Sequence, residues 1–457
     1  MKKSYEMNMT EGPLLGKIIL FTIPVMLSGL LQLLFNAVDV IVVGNYVGDE
    51  ALAAVGSTGA LINLFIRLFM GLSVGTNVMV ARYYGAKRFR EMQETLHTAV
   101  ASSVFLGAFV AVMAQILAYP ILRLMGTPED VIDQSALYFR IYLAGSPVNL
   151  LYNFSAAALR AVGDTRRPLI YLTIGGVANV FLNLFFVIVV GIGVAGVAIG
   201  TLASQTVSAV LVVRCLLKST GSLRLVPSEL RIRKDKFLGM MAIGLPSGVQ
   251  GMIFSLSNIV IQSSINSFGK IAMAGKTAAA NIEGFVYIAM NSMHQSCISF
   301  TSQNLGAKKP DRVLKTLGLC LAIVLVLGLA MGNIVYAFAP RLLRIYTDTD
   351  EAVGYGLTRM GLVCMPYFLC GLMDVAVGAL RGIGASLVPM LTSVFGCCAF
   401  RLIWIATVFR ADRTLENVYV SYPISWILTL VLHLLCFVFF FRRVRKRLLG
   451  GGKPGAA

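Results

Sequence analysis

The chain has 457 residues, of which 57% are hydrophobic and only 13% charged, against about a quarter charged in an ordinary soluble domain. Its net charge of +18 sits in short loops beside apolar stretches and at the C-terminus, which fits topology signals and anionic headgroups better than nucleic acid. The eight cysteines and three histidines form no disulfide or zinc pattern, and the cysteines read as small packing residues.

From the N-terminus onward, a polar lead runs into an apolar segment too long for a cleaved signal peptide. Twelve helices of membrane-spanning length follow, at 17–43, 51–82, 93–117, 134–160, 169–190, 194–217, 237–266, 274–303, 313–338, 353–380, 387–409 and 418–441. The first carries Pro24, Asn36 and Asp39, and the second Arg67. The fifth carries Asn179 and Asn183, and the sixth Thr201. A basic stretch, 218–236, then separates two sets of six. The eighth helix carries Glu283, Tyr287 and Asn291, the tenth Asp374 and the eleventh Arg401. The expected domains are an N-lobe over 1–217, a cytoplasmic linker over 218–236, a C-lobe over 237–441 and a basic cytoplasmic tail over 442–457. Most of the 39 Lys and Arg fall on one set of loops with both termini. The positive-inside rule then makes both termini cytoplasmic, in a plasma membrane of the bacterial inner-membrane kind.

The two sets of six repeat. Gly85-Ala86-Lys87 recurs as Gly306-Ala307-Lys308, and ALRAVGDTRRP (158–168) as ALRGIGASLVP (379–389), both 221 residues later. Pro24 and Asn36 find Pro246 and Asn258 at 222. An even number of spans per half makes the repeats parallel, and two such lobes suit alternating access.

With FNAVDVIVVG (35–44), ARYYGAK, SQNLGAK, the paired ALRxxG segments, ANVFLN (178–183) and GVAIGTLASQ (196–205), the chain resembles the multidrug and toxic compound extrusion (MATE) transporters over nearly its whole length. The resemblance implies a V-shaped pair of six-helix lobes. It also implies export of small organic compounds, often cationic or amphipathic, driven by inward H⁺ or Na⁺ handled by an N-lobe carboxylate. Lipid-linked sugar flipping, known in the wider superfamily, is the alternative. The expected partners are organic substrates and membrane lipids around a monomer, with no cofactor beyond the coupling ion.

Intramembrane charges are candidates for function by default. Asp39 shares a helical face with Asn36, and with Asn179, Asn183 and Thr201 it matches positions that look like the family's N-lobe cation site. One carboxylate with amide and hydroxyl oxygens would ligate Na⁺, making Asp39 the metal ligand, or the carboxylate would carry a proton. Many members have an acid where this chain has Asn183, and the loss of that charge tilts the expectation toward H⁺. The blander readings are a hydrated helix-end acid and asparagines that glue helices together.

In the C-lobe, Glu283 with Tyr287 and Asn291 on its face, together with Asp374, reads as a seat for an organic cation. An internal salt bridge to Arg67 or Arg401 is the competing reading. Pro24 reads as a hinge for the first helix or as a static kink. GKIAMAGKT (269–277) has five residues between its glycines where a P-loop needs four, which argues against an ATP-driven pump. The intramembrane acids are too dispersed for a diphosphate enzyme.

Overall fold

The computed structural model describes residues 5–219 and 223–449. Residues 1–4, part of the expected linker (220–222) and part of the basic tail (450–457) lie outside the described residues. Backbone inside hydrocarbon must satisfy its own hydrogen bonds, and the chain does so as helix.

In chain order the helices are α1 (Leu14–Tyr46), α2 (Asp49–Gly85), α3 (Phe89–Leu124), α4 (Ile132–Ala144), α5 (Ser146–Ala161), α6 (Arg166–Leu184), α7 (Gly193–Lys218), α8 (Lys234–Asn266), α9 (Lys270–Gly306), α10 (Pro310–Ala337), α11 (Ala339–Leu343), α12 (Asp350–Arg359), α13 (Tyr367–Gly382), α14 (Leu387–Ser393), α15 (Phe400–Ala406), α16 (Val408–Ala411) and α17 (Leu415–Leu449). Wider π-helical turns extend α6 at Phe185–Val189, extend α12 at Met360–Cys364 and join α14 to α15 at Val394–Ala399. Each π turn adjoins a buried polar residue, namely Asn183, Arg359 or Arg401, which is where such turns tend to occur.

Merging α4 with α5, α12 with α13, and α14 through α16, and setting aside the five-residue α11, gives twelve rods over the twelve expected spans. The first merged rod breaks at Gly145, and Pro147 occupies the first turn of α5, where a missing N–H costs nothing. The second bends by 41° where Pro366 interrupts it. Among the described residues nine helices are long and apolar enough to span a membrane, ten counting the bent pair. The rods that fall short are α4–α5 and α9. In α9 the shortfall follows from Glu283, His294, Gln303 and Asn304, all buried within their own unit.

The repeat is visible in the backbone. After α2, the N–H groups of Ala86, Lys87 and Arg88 donate back to the carbonyls of Arg82, Tyr84 and Tyr83. After α9, those of Ala307, Lys308 and Lys309 donate to Gln303, Leu305 and Asn304. Lys87 and Lys308 both have φ of 56°, and they are the only non-glycine residues at positive φ among the described residues. A lysine in the left-handed region is strained, so the same cap at a 221-residue offset is strong structural evidence of duplication.

Contacts divide the chain into two compact units that do not coincide with the two repeats. Unit 1 is Met1–Asn8 with Leu27–Gly248, and unit 2 is Met9–Met26 with Val249–Ala457. Helix α1 therefore passes from one unit to the other two residues after Pro24, and α8 does so two residues after Pro246. The described part of the expected linker folds onto unit 1. Leu223 and Leu225 are buried there with Leu96, Leu159 and Leu216, and the Val226 N–H donates to His97 Nε2 at 2.9 Å.

Within unit 1, α3 packs on α4 and α5, α2 on α5, and α6 on α7. Phe105, Phe109 and Ile116 on α3 point outward, more than 60% exposed, as an apolar stripe facing lipid requires. Within unit 2, α9 packs against α10, α12 and α13, and α13 packs on α17. Helices close on each other through small residues. A Cβ on Gly75 would lie 2.0 Å from the carbonyl oxygen of Met240, whereas one on Gly59 would meet nothing within 4 Å. Gly75→Val is therefore expected to cost about 1–3 kcal/mol by overpacking. It should lower the melting temperature of the purified protein in detergent, with Gly59→Ala leaving it within error of the wild type.

Candidate ion-coupling site and buried charges

Asp39 lies in the last third of α1, half-buried, and faces α6 and α7 of its own unit. Asn183 Nδ2 donates to Asp39 Oδ1 at 2.5 Å, and the Thr201 hydroxyl donates to Oδ2 at 3.5 Å. Asn179 Nδ2 donates to Thr201 Oγ1 at 3.4 Å, and Asn179 Oδ1 accepts from Asn183 Nδ2 at 3.4 Å. Both asparagines are buried. Their four-residue spacing on α6 stacks them on one face, and the π turn that begins at Phe185 follows directly. The close approach of α7 depends on Gly200, where a Cβ would fall 2.0 Å from Asn183 Oδ1.

Among the described residues no Lys, Arg or His comes within 4.0 Å of Asp39. Its carboxylate is held by neutral donors alone. Asn183 Oδ1 is buried without a hydrogen-bond partner. A half-turn of that amide would present Oδ1 to the carboxylate in place of Nδ2. The cluster can therefore offer donors to a carboxylate, or oxygens from Asp39, Asn183 and Thr201 to a hard cation. Asn36 is exposed, and among the described residues no hydrogen bond joins it to the cluster. Sharing a helical face with Asp39 is not enough to bring it in.

Sequence reasoning missed the polar seam that continues from this cluster. Gln205, one turn beyond Thr201 on α7, accepts from Asn149 at 3.4 Å, and Asn153 donates to Asn149 Oδ1 at 2.7 Å. Tyr138 and Tyr142 on α4, with rings 6.2 Å apart, lie within the field of Asp39. Spacings of four residues, between Asn149 and Asn153 and between Tyr138 and Tyr142, were the signal available.

In unit 2 the expected roles of the acids change. Glu283 is ion-paired through both oxygens to Arg359, with Oε1 to Nε at 2.9 Å and Oε2 to Nη2 at 2.7 Å. The two side chains are only 5% and 7% exposed. The expected partners are corrected. Arg67 is exposed, and Arg401 donates to Ser425 Oγ at 2.8 Å instead. Arg359 lies on the last turn of α12 just before the π turn, and no local spacing links it to Glu283, 76 residues away. With its charge cancelled and both oxygens occupied, Glu283 is not a free seat for an organic cation.

Tyr287 and Asn291 lie on the same face of α9. Asn291 Nδ2 approaches the Tyr287 hydroxyl at 3.4 Å, and Tyr287 packs edge-on to Tyr367 at 6.5 Å. Asp374 is half-buried on α13, and its backbone carbonyl is 2.6 Å from His294 Nδ1. The His294 Nε2 is 3.2 Å from Arg381 Nη1, and Arg381 Nη2 donates to Gln250 at 2.8 Å. Arginine only donates, so Nε2 accepts and His294 carries its proton on Nδ1. The sequence picked Asp374 out as an acid and missed the His294–Arg381–Gln250 string.

The MatE family model matches this chain twice, over residues 24–185 and 246–406. The chain belongs to the MATE family. The two matches are offset by 222 residues at their starts and 221 at their ends, as the repeated motifs are. Among curated proteins the chain is similar to the "Probable multidrug resistance protein YoeA" of Bacillus subtilis, 27% identical and covering 90% of this chain and 91% of that one. It is also 26% identical to the "Probable multidrug resistance protein YpnP" of the same organism, over 84% and 86%. Among solved structures, one described as "Crystal structure of MATE in complex with MaL6" superposes with a TM-score of 0.90 at 22% identity. It covers 97% of this chain and 100% of that one, so the fold is shared end to end. The protein is thus a multi-pass membrane transporter of the MATE two-repeat fold.

If the Glu283–Arg359 pair is structural, Arg359→Met should strand a buried carboxylate and cost about 3–5 kcal/mol. Glu283→Gln combined with Arg359→Met should recover most of that loss. Thermal unfolding of the two variants in detergent checks this, and transport by the double variant reports whether the pair is also needed for cargo.

Proposed function

We propose that this protein is a secondary active exporter of small organic, cationic or amphipathic compounds, driven by inward movement of a cation through Asp39. The observation that carries this reading is the contrast between two intramembrane acids. Glu283 is neutralised by an arginine, whereas Asp39 is held only by amide and hydroxyl donors. A carboxylate in a low-dielectric setting without a counter-charge is poised to take one from outside the protein. The names of the relatives support drug export as the task, and a coupled cation supplies what such uphill export needs.

A proton fits the residues best. Two neutral donors aimed at the carboxylate hold it well while it is ionised. Protonation removes the charge-assisted part of those bonds and loosens α1 from α6 and α7. Sodium would need the Asn183 amide to turn and offer its oxygen, which makes Asn183, Asn179 and Thr201 the supporting ligands in that case. Pro24 has no N–H to give the helix and lies two residues before α1 changes unit, so it is the proposed hinge through which the state of Asp39 bends that helix. Asp374, Tyr287 and Asn291 remain the proposed contacts for cargo, and Glu283 is withdrawn from that role. Both termini are assigned to the cytoplasm by the distribution of Lys and Arg.

The test is transport of a cationic dye in proteoliposomes with a H⁺ or a Na⁺ gradient imposed separately. Wild-type protein should export under one gradient alone, and H⁺ is the expected one. Asp39→Asn imitates the protonated side chain and should reduce transport by more than about tenfold, equivalent to ~1.4 kcal/mol on the limiting step. Its melting temperature should stay close to that of the wild type. Undiminished transport by that variant would remove Asp39 from coupling.

A further inference from the structure

Unit 2 contains an excess of buried donors. Arg401 is 3% exposed, has no carboxylate within 4.0 Å among the described residues, and spends its Nε on Ser425 Oγ. Its guanidinium carbon lies 4.1 Å from the ring centre of Tyr422 and 5.8 Å from that of Trp426. Arg359 lies over the same Tyr422 at 5.7 Å and over Tyr419 at 5.3 Å. Of the buried groups around these rings, Arg401 Nη2 makes no hydrogen bond, and Arg359 Nη1 and the Tyr419 hydroxyl have no partner beyond each other.

Their charges do not balance either. Glu283 cancels Arg359, and the field of Asp374 is shared with the buried Arg381, which leaves Arg401 without an acid of its own. Lys276, two turns before Glu283 on α9, adds positive charge from the same side. A buried arginine ordinarily comes with an acid or a set of carbonyl acceptors, and buried polar groups ordinarily find partners. Here both expectations fail at one place, and they fail in the same direction, with too many donors and too much positive charge.

We propose that unit 2 binds a small inorganic anion, chloride under physiological conditions, beside Tyr422 between the guanidiniums of Arg359 and Arg401. Water would not resolve the imbalance, because each water brings two further donors along with its lone pairs. A halide brings acceptor capacity in every direction and one negative charge. The small exposure of Arg359, Arg401 and Tyr419, at 6%, 3% and 0%, leaves no opening for the carboxylate or phosphate of a bulky cargo, so the proposed occupant is a single small ion. The anion would neutralise Arg401 and brace α12, α15 and α17 around the Glu283–Arg359 pair.

The chain has two tryptophans, so Trp404→Phe leaves Trp426, next to Arg401, as the only reporter. Full-length protein in detergent is titrated with sodium chloride in place of sodium gluconate at constant ionic strength. Trp426 emission should change saturably, and Arg401→Gln in that background should weaken the chloride response by at least about tenfold. Tyr419→Phe removes a single donor without disturbing a charge, and it should weaken the response by a smaller factor. Crystals grown in bromide should show an anomalous peak beside Arg401. No saturable response to chloride, an unchanged response in either variant, or a crystal in which water alone occupies the position would overturn the proposal. None of these readouts involves transport, so their outcome is separate from that of the Asp39 experiment.

Discussion

A charge inside hydrocarbon has few ways to persist. It can pair with an opposite charge, surround itself with oriented dipoles, or remain available to an ion that arrives from water. Glu283 and Asp39 follow different routes, one in each unit. Glu283 takes the first with Arg359. Asp39 combines the second and third, since Asn183 and Thr201 orient toward it and, among the described residues, no basic side chain lies within 4.0 Å of it. Arg401 has aromatic faces and one serine, and still lacks an acceptor.

The scaffold around these groups is duplicated, and its chemistry is not. The left-handed lysines at 87 and 308 and the identical caps that precede them show how closely the two repeats follow one backbone plan. Evolution from one parent explains the twin prolines at 24 and 246, each just before a helix passes from one packing unit to the other. The packing units interleave the repeats, because the start of α1 joins the second unit and the start of α8 joins the first.

The twelve rods, the 221-residue repeat and the stacking of Asn179 on Asn183 were legible in the sequence, because each rests on spacing, whereas the grouping of Asp39 with Asn179, Asn183 and Thr201 was what the family resemblance implied. Helical periodicity stacks Asn179 on Asn183, and hydropathy marks the spans. What spacing cannot report is which partner a buried charge finds across the fold. Arg359 is 76 residues from Glu283, and nothing local ties the two together. Position along a span misled in the same way, since Arg67 lies within a span and is exposed. Asn36 shows the limit of the periodicity argument itself, since a shared helical face settles direction only to within a broad arc. The interleaving of packing units was invisible for the same reason, since Met26 and Gly248 carry no local mark.

The central claim is that Asp39 is the group whose charge changes during the transport cycle. Difference infrared spectroscopy of the protein in lipid, with pH and Na⁺ varied separately, observes carboxyl groups directly. The account predicts a carboxyl band that responds to one of the two ions, is lost in Asp39→Asn and persists in the Glu283→Gln, Arg359→Met double variant. A spectrum in which no band responding to either ion depends on Asp39 would contradict it.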